Sequence, residues 1–176
     1  MNTEPGFMNQ SENIYTNLEG KAKAIYNYTL VVNAYQALHR DYGLGYFMSQ
    51  ADIHALGFIE ENPGITAKQL AELTFKTKGT ISITLSHLEH EGYIEQHINP
   101  DNRRERYLYL TEKGILVCRQ HIAYDRKTTA EYLTELAENC TVQEINAFFK
   151  VLYYRTEWVK KTIMREKSSG ILGNNK

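Results

Sequence analysis

The stretch that decides the fold is residues 65–114, ITAKQLAELTFKTKGTISITLSHLEHEGYIEQHINPDNRRERYLYLTEKG. It opens on Thr66–Gln69, TAKQ, a capping box in which the hydroxyl takes the third amide of a new helix and the glutamine reaches back. LAEL carries that short helix, and the polar run TFKTKGT ends it. Thr77 caps the next helix, whose apolar members Ile81, Leu85 and Leu88 fall on one face, and Gly92 closes it. YIEQHI and RYLYL then read as two strands around a polar turn. In the second strand Leu108 and Leu110 share one face, while Tyr107 and Tyr109 share the other. Two short helices joined by a tight turn and followed by a β-hairpin describe a winged helix-turn-helix.

Working outward, TNLE at Thr16–Glu19 reads as a capping box for a helix with the stripe Leu18, Ala22, Ile25, Thr29, Val32, Gln36. That helix is expected to reach His39 or Arg40, where DYGLG breaks it. SQAD at Ser49–Asp52 starts another helix, with Ile53, Leu56 and Ile59 inward, and ENPG stops it. Beyond the hairpin, Thr111 caps a long helix through about Glu138. TVQE at Thr141–Glu144 caps the last one, which is apolar at Ile145, Phe148, Phe149, Leu152, Val159 and Ile163. The fold class is therefore mainly α with a small β-hairpin wing. No internal repeat is visible.

Composition narrows the class. Hydrophobic residues make up 42% of the 176, enough for a packed core and too many for a wholly disordered chain. No run of about 18 apolar residues predicts a membrane span. The opening MNTEPGFMNQSEN lacks a basic n-region and an apolar h-region, so no signal peptide is expected. Cys118 and Cys140 are the only thiols, and a reducing cytoplasm is the simplest compartment for them. The formal charge of −1 excludes a generally basic coat and leaves room for a local basic patch.

The combination of LA in the first short helix, GTIS…L..LE..GYI across the second, D.RR in the wing and L.LTEKG at its exit resembles the core of the MarR (multiple-antibiotic-resistance regulator) family of bacterial transcription factors. The close likeness covers about Ile65–Gly114. The flanking helices match in number and length rather than in residues. The resemblance implies double-stranded DNA as partner, a homodimer built by the outer helices, and repression of transcription. The implied organisation is a mobile N-terminus over 1–12, a dimerisation helix and linker over 13–48, and the DNA-binding module over 49–111. C-terminal dimerisation helices over 112–165 and a mobile tail over 166–176 complete it.

The recognition helix is expected over Thr77–Glu91, with Lys78, Thr80, Ser82, Ile83, Ser86 and His87 opposite the core face. Small hydroxyls and a lysine near a helix N-terminus suit the major groove, and Thr77 belongs to the same surface. Relatives often carry a basic residue where this chain has Ile83, which instead suits thymine methyls. The family's wing pattern falls on Asp101 and Arg103. By resemblance Arg103 enters the minor groove and Asp101 holds the wing. Arg104 and Arg106 alternate around the strand, which puts phosphates within their reach.

Many relatives respond to a small aromatic or lipid-like molecule. The candidate lining here is Tyr35, Tyr42, Tyr46, Phe47, Phe58 and Tyr124, because tyrosine joins an apolar wall to a polar tip suited to a phenolic ligand. Cys118 with His121, and His87 with His90, are pairs three residues apart. Neither supplies the three or four ligands a metal needs, so no metal and no cofactor is assigned. No phosphate loop or nucleophile–base motif points to an enzyme. The alternatives are a winged helix used only for protein contacts and a metal- or redox-sensing regulator, the latter through Cys118.

Overall fold

The computed structural model describes residues 13–169. The expected mobile N-terminus, 1–12, and the tail from 170 on lie outside the described residues. In chain order the elements are α1 (Leu18–Gln36), β1 (Arg40–Asp41), β2 (Phe47–Met48), α2 (Gln50–Glu61), β3 (Ile65–Thr66), α3 (Ala67–Thr74), α4 (Lys78–His90), β4 (Ile94–Ile98), β5 (Arg106–Leu110), α5 (Glu112–Ala137) and α6 (Val142–Ser168). The chain divides within α5, between Tyr124 and Asp125, into two compact units. Among the described residues no helix is long and apolar enough to cross a membrane.

In the first unit, α2, α3 and α4 pack with an antiparallel sheet of order β3-β5-β4. Ile53, Leu56 and Ile59 of α2, Leu70 of α3, Ile81, Leu85 and Leu88 of α4, and Leu108 of β5 are all buried. Each such side chain contributes about 1.5–3 kcal/mol by leaving water, which fixes the helix-turn-helix on the hairpin. The alternation in β5 holds: Leu108 is fully buried, whereas Tyr107 and Tyr109 on the other face are half-buried.

The helix starts follow the sequence closely. Thr66 and Gln69 form the full capping box, with the Thr66 amide donating to Gln69 Oε1 at 2.9 Å. Thr77 Oγ1 accepts from the Thr80 amide at 3.1 Å, and Ser49 Oγ from the Asp52 amide at 3.1 Å. Thr111 Oγ1 accepts from the Gly114 amide at 3.2 Å and donates to the Gly92 carbonyl at 2.7 Å, tying α5 to the end of α4. Thr141 and Glu144 form the second full box, and the Thr141 amide and hydroxyl hold the Glu144 carboxyl below its usual range.

Three elements depart from expectation. The cap of α1 is Asn17, one residue after Thr16. Asn17 takes φ 49°, which asparagine tolerates, and its Oδ1 accepts from the Gly20 amide at 3.1 Å. Thr16 Oγ1 donates back to the Asn13 carbonyl instead. Secondly, α1 ends at Gln36, short of His39, because Arg40–Asp41 pairs with Phe47–Met48 as a small hairpin. Asp41 Oδ1 accepts the amides of Gly43, Leu44 and Gly45 at 2.8, 2.9 and 2.9 Å, and the Leu44 amide above all lowers its carboxyl pKa. Gly43 and Gly45 sit at φ 95° and 74°, where a Cβ is strained. Thirdly, α6 continues through Ser168, so the first residues of the expected mobile tail are helical.

Both end helices lack any buried residue. On α1, Ile25, Leu30 and Val31 face solvent. On α6, in the second unit, Phe148, Phe149, Val151, Leu152, Tyr154 and Trp158 do so, Trp158 at 55% exposure.

Candidate nucleic-acid interface

The surface of α4 divides cleanly. Ile81, Leu85 and Leu88 point into the core, while Thr77, Lys78, Thr80, Ser82, Ile83 and Ser86 are exposed. Ile83 is 75% exposed, which places it outside the core although two residues from Ile81. Thr77 Oγ1 and Thr80 Oγ1 lie 2.9 Å apart at the helix start, presenting hydroxyls beside Lys78 at the positive end of the helix. His87 is drawn aside: its Nδ1 meets the Asp52 carboxylate at 3.6 Å, tying α4 to the first turn of α2.

The wing turn is built from asparagines. Asn99 is buried, its Nδ2 donates to the Glu105 carboxylate at 3.0 Å, and its Oδ1 accepts from the Asp101 amide at 2.9 Å. Asn102 Oδ1 accepts from the Arg104 amide at 3.2 Å. Main-chain bonds Asn99 N to Glu105 O, Asn102 N to Asn99 O and Glu105 N to Asn102 O close the loop at 3.1, 3.2 and 2.9 Å. Asp101, Arg103 and Arg104 are exposed at its tip. Among the described residues no ion pair joins Asp101 to Arg103, and Asp101 contributes its amide to the turn while Arg103 stays open to solvent.

Between α4 and the wing runs a groove of about 430 Å³, walled in part by Lys68, Lys78, Ser82, Ser86, Gln96, Asn102, Arg104, Glu105 and Arg106. Four cations and one acid line it, so a chain of net charge −1 concentrates positive charge at this surface. Lys68 and Gln96 escape a reading of the sequence. Lys68 reaches the groove because β3 pairs with β5 through Thr66 and Tyr107, which sets the start of α3 beside Arg106. A two-residue strand has no periodicity to announce it.

Residues 48–105 match the family model for the MarR family. Within these residues the chain resembles that family. Over 80 residues it is 34% identical to the HTH-type transcriptional regulator PetP of Rhodobacter capsulatus, covering 46% of this chain and 45% of that protein. The chain thus spans about half the length of curated relatives it matches. The fold is shared with a MarR protein of Peptoclostridium difficile, at TM-score 0.67 and 20% identity over 89% of this chain and 98% of the other. It is shared also with Streptococcus pneumoniae FabT, solved in complex with DNA, at TM-score 0.60 and 24% identity over 84% of this chain and 99% of the other.

The expected effector residues are scattered. Tyr42 is buried and meets Tyr124 edge-on, with ring centroids 5.2 Å apart. Tyr35 lies under the Arg40 guanidinium at 3.9 Å, and Tyr46 packs on Tyr93 and Lys113. Phe47 is exposed. Phe58 alone of the six lines a cleft of about 500 Å³ walled by residues of α1, α2, α3 and α4.

The members of the two pairs spaced three residues apart have other neighbours as well. His87 turns to Asp52, and His90 Nδ1 meets the Glu91 carboxylate at 3.2 Å. Cys118 is buried, and that burial, reinforced by the Glu60 carboxylate, pushes its thiol up to about 12. A thiol so held favours its protonated form, whereas a peroxide switch works through the thiolate. His121 packs on Tyr42 and His54.

Proposed function

We propose that this chain is a sequence-specific, double-stranded DNA-binding transcriptional regulator, acting as a ligand-responsive repressor. In this reading α4 enters the major groove, with Ser82, Ile83 and Ser86 at base edges and Thr77, Lys78 and Thr80 near the backbone. Arg103 reaches the adjacent minor groove, and Arg104 lies over phosphates. The observation that carries the reading is the juxtaposition of an outward, acid-free edge of α4 with the groove lined by Lys68, Lys78, Arg104 and Arg106. The S. pneumoniae neighbour was solved with DNA on the same fold, which agrees with it.

The outer helices complete the proposal as a homodimer. The solvent-facing apolar side chains of α1, and separately those of α6, suit burial against a second copy. Two recognition helices then stand roughly 34 Å apart on a pseudo-palindromic operator. The cleft beside Phe58 suits a small aromatic or phenolic effector. Ala55, Phe58, Leu73 and Ile81 supply apolar wall, Lys76 supplies a cation for a carboxylate, and its volume of about 500 Å³ matches a small-molecule site.

Selection of bound duplexes from a random pool, followed by affinity against salt, tests the proposal. Recovered sites with inverted half-sites one helical turn apart, and affinity falling steeply with salt, are expected. Absence of duplex binding even at low salt marks the module as a protein-contact winged helix instead.

A further inference from the structure

Three contacts converge on one ammonium at the joint between α4 and α5. Lys113, in the first turn of α5, donates from Nζ to the carbonyl of Glu91, the C-cap of α4, at 2.7 Å. The same Nζ lies 4.1 Å from the centre of the Tyr93 ring and 4.6 Å from that of Tyr46. The two rings stand edge to face, with centroids 6.4 Å apart and planes at 82°. Tyr93 is buried, while Tyr46 comes from the turn between β1 and β2. The backbone closes the same joint. The Thr111 amide donates to the Tyr93 carbonyl at 3.0 Å, and a Cβ on Gly114 would collide with that carbonyl.

We propose that Lys113 is a positioning residue for DNA reading: its ammonium, held between Tyr46 and Tyr93, caps α4 and fixes the inclination of that helix, and with it the spacing at which two half-sites are read. The functional half of this inference rests on the dimeric DNA-binding reading given above. A helix C-terminus carries unsatisfied carbonyls and partial negative charge, which a cation stabilises. A surface lysine usually caps loosely, because its four-carbon stem is flexible and its ammonium strongly hydrated. Here two ring faces attract the ammonium and restrict it, so the cap has one geometry. The rest of the grip on α4 comes from Ile81, Leu85 and Leu88 in the core, and apolar burial is non-directional. Lys113 supplies a directional bond at the end of the helix away from Thr77 and Lys78. A 13-residue helix is about 20 Å long, so a tilt of about 6° around its middle moves each end by roughly 1 Å. Tyr46 brings the β1–β2 hairpin into the same joint.

The test uses the full chain and three variants, Lys113→Met, Tyr46→Leu and Tyr46→Phe. The first keeps an apolar stem and drops the charge and the donor; the last keeps the ring face. Each is titrated with a single half-site and with paired half-sites at the selected spacing and at one and two base pairs either side of it. In Lys113→Met, affinity at the selected spacing is expected to fall about tenfold and at the shifted spacings threefold or less, so that the preference narrows. Single half-site binding is expected to stay within about twofold. Tyr46→Leu is expected to follow Lys113→Met, and Tyr46→Phe to follow the parent. Equal losses at every spacing would mark a merely structural role and overturn the proposal, as would a spacing preference left intact in Lys113→Met. Amide hydrogen exchange reads the positioning without DNA. The amides of Glu91, Gly92 and Tyr93, bonded to the carbonyls of His87, Glu89 and Leu88, are expected to exchange tenfold or more faster in Lys113→Met and Tyr46→Leu but not in Tyr46→Phe. Unchanged exchange in Lys113→Met would overturn the cap itself. A parent that reads no spacing while its variants show the faster exchange would overturn the functional half and the dimeric reading beneath it.

Discussion

Asn99 lies buried beneath the wing turn and donates from Nδ2 to the Glu105 carboxylate across the loop, 3.0 Å away. The same side chain takes the Asp101 amide, so one asparagine fixes both the start and the return of the loop that carries Arg103 and Arg104. A charged acceptor makes this bond stronger than a neutral one. The arginines therefore stand on a braced loop rather than a free tip.

The first prediction follows. Asn99→Ala is expected to cost about 1–3 kcal/mol of stability, the range for a buried bond to a charged group with its partner left behind. DNA affinity should fall as well, although Asn99 touches no DNA in the proposed arrangement. Thermal melting and duplex titration measure the two losses. Asp101→Ala is expected to leave the fold intact, because Asp101 offers the turn its backbone amide and not its carboxylate.

Along α4 the expected effects separate by face. Ile83→Ala should leave stability within about 0.5 kcal/mol of the parent, since the side chain is 75% exposed, and should change the bases selected. Lys78→Ala should lower affinity for all duplexes alike and flatten the salt dependence by about one phosphate contact. Arg103→Ala should cost about 1–3 kcal/mol per half-site. Selection from random duplexes on each variant, with melting curves alongside, checks all three. An unchanged selected motif for Ile83→Ala would remove that residue from the base-reading surface.

Much of this surface is legible in the sequence because its chemistry is local. Thr66, Thr77 and Thr141 declare their helices through bonds to residues three positions on, and Ile81, Leu85 and Leu88 declare the buried face by spacing. Non-local contacts are where such reading stops. Strand β3 exists only because β5 offers it a ladder, and that pairing brings Lys68 to the groove. The hairpin of β1 and β2 depends on one carboxylate gathering three amides, which no periodicity encodes. His121 finds His54 from a distant helix, and spacing along the chain points to Cys118 instead. Thr16 against Asn17 is a different failure: both residues cap helices, and only the backbone's left-handed turn at Asn17 decides between them.

The thiol at Cys118 gives a prediction in pH. Its folded value of about 12 stands above the 9.0 of an ordinary thiol, so the protonated form is favoured by folding. The associated stability is full below about pH 9 and is lost as pH rises towards 12. In a Cys140→Ser background, alkylation of Cys118 by iodoacetamide at pH 8 should run roughly 100–1,000-fold slower in the native chain than in denaturant, following the fraction of thiolate. Comparable rates in the two states would show that the thiol is open and ionisable.

The last prediction concerns the end helices. On α6 alone, Phe148, Phe149, Val151, Leu152, Tyr154 and Trp158 face solvent, and on α1 so do Ile25, Leu30 and Val31. A large apolar side chain left in water forgoes about 1.5–3 kcal/mol, so two such surfaces on a chain of 20.4 kDa favour association strongly. Pairing about a two-fold axis covers each surface with its own copy and closes the assembly at two chains. Fixed spacing of two modules also raises operator affinity through effective concentration, which suits a chain with so little net positive charge. Sedimentation at low micromolar concentration should therefore return twice the chain mass. Val151→Glu with Trp158→Glu should shift the species towards the monomer while the fold of residues 49–111 survives, because neither side chain is buried within the chain. The charged variant should bind a single half-site nearly as the parent does and lose its advantage on the paired site. A parent chain that sediments cleanly at 20.4 kDa would rule out both the dimer and the two-half-site arrangement.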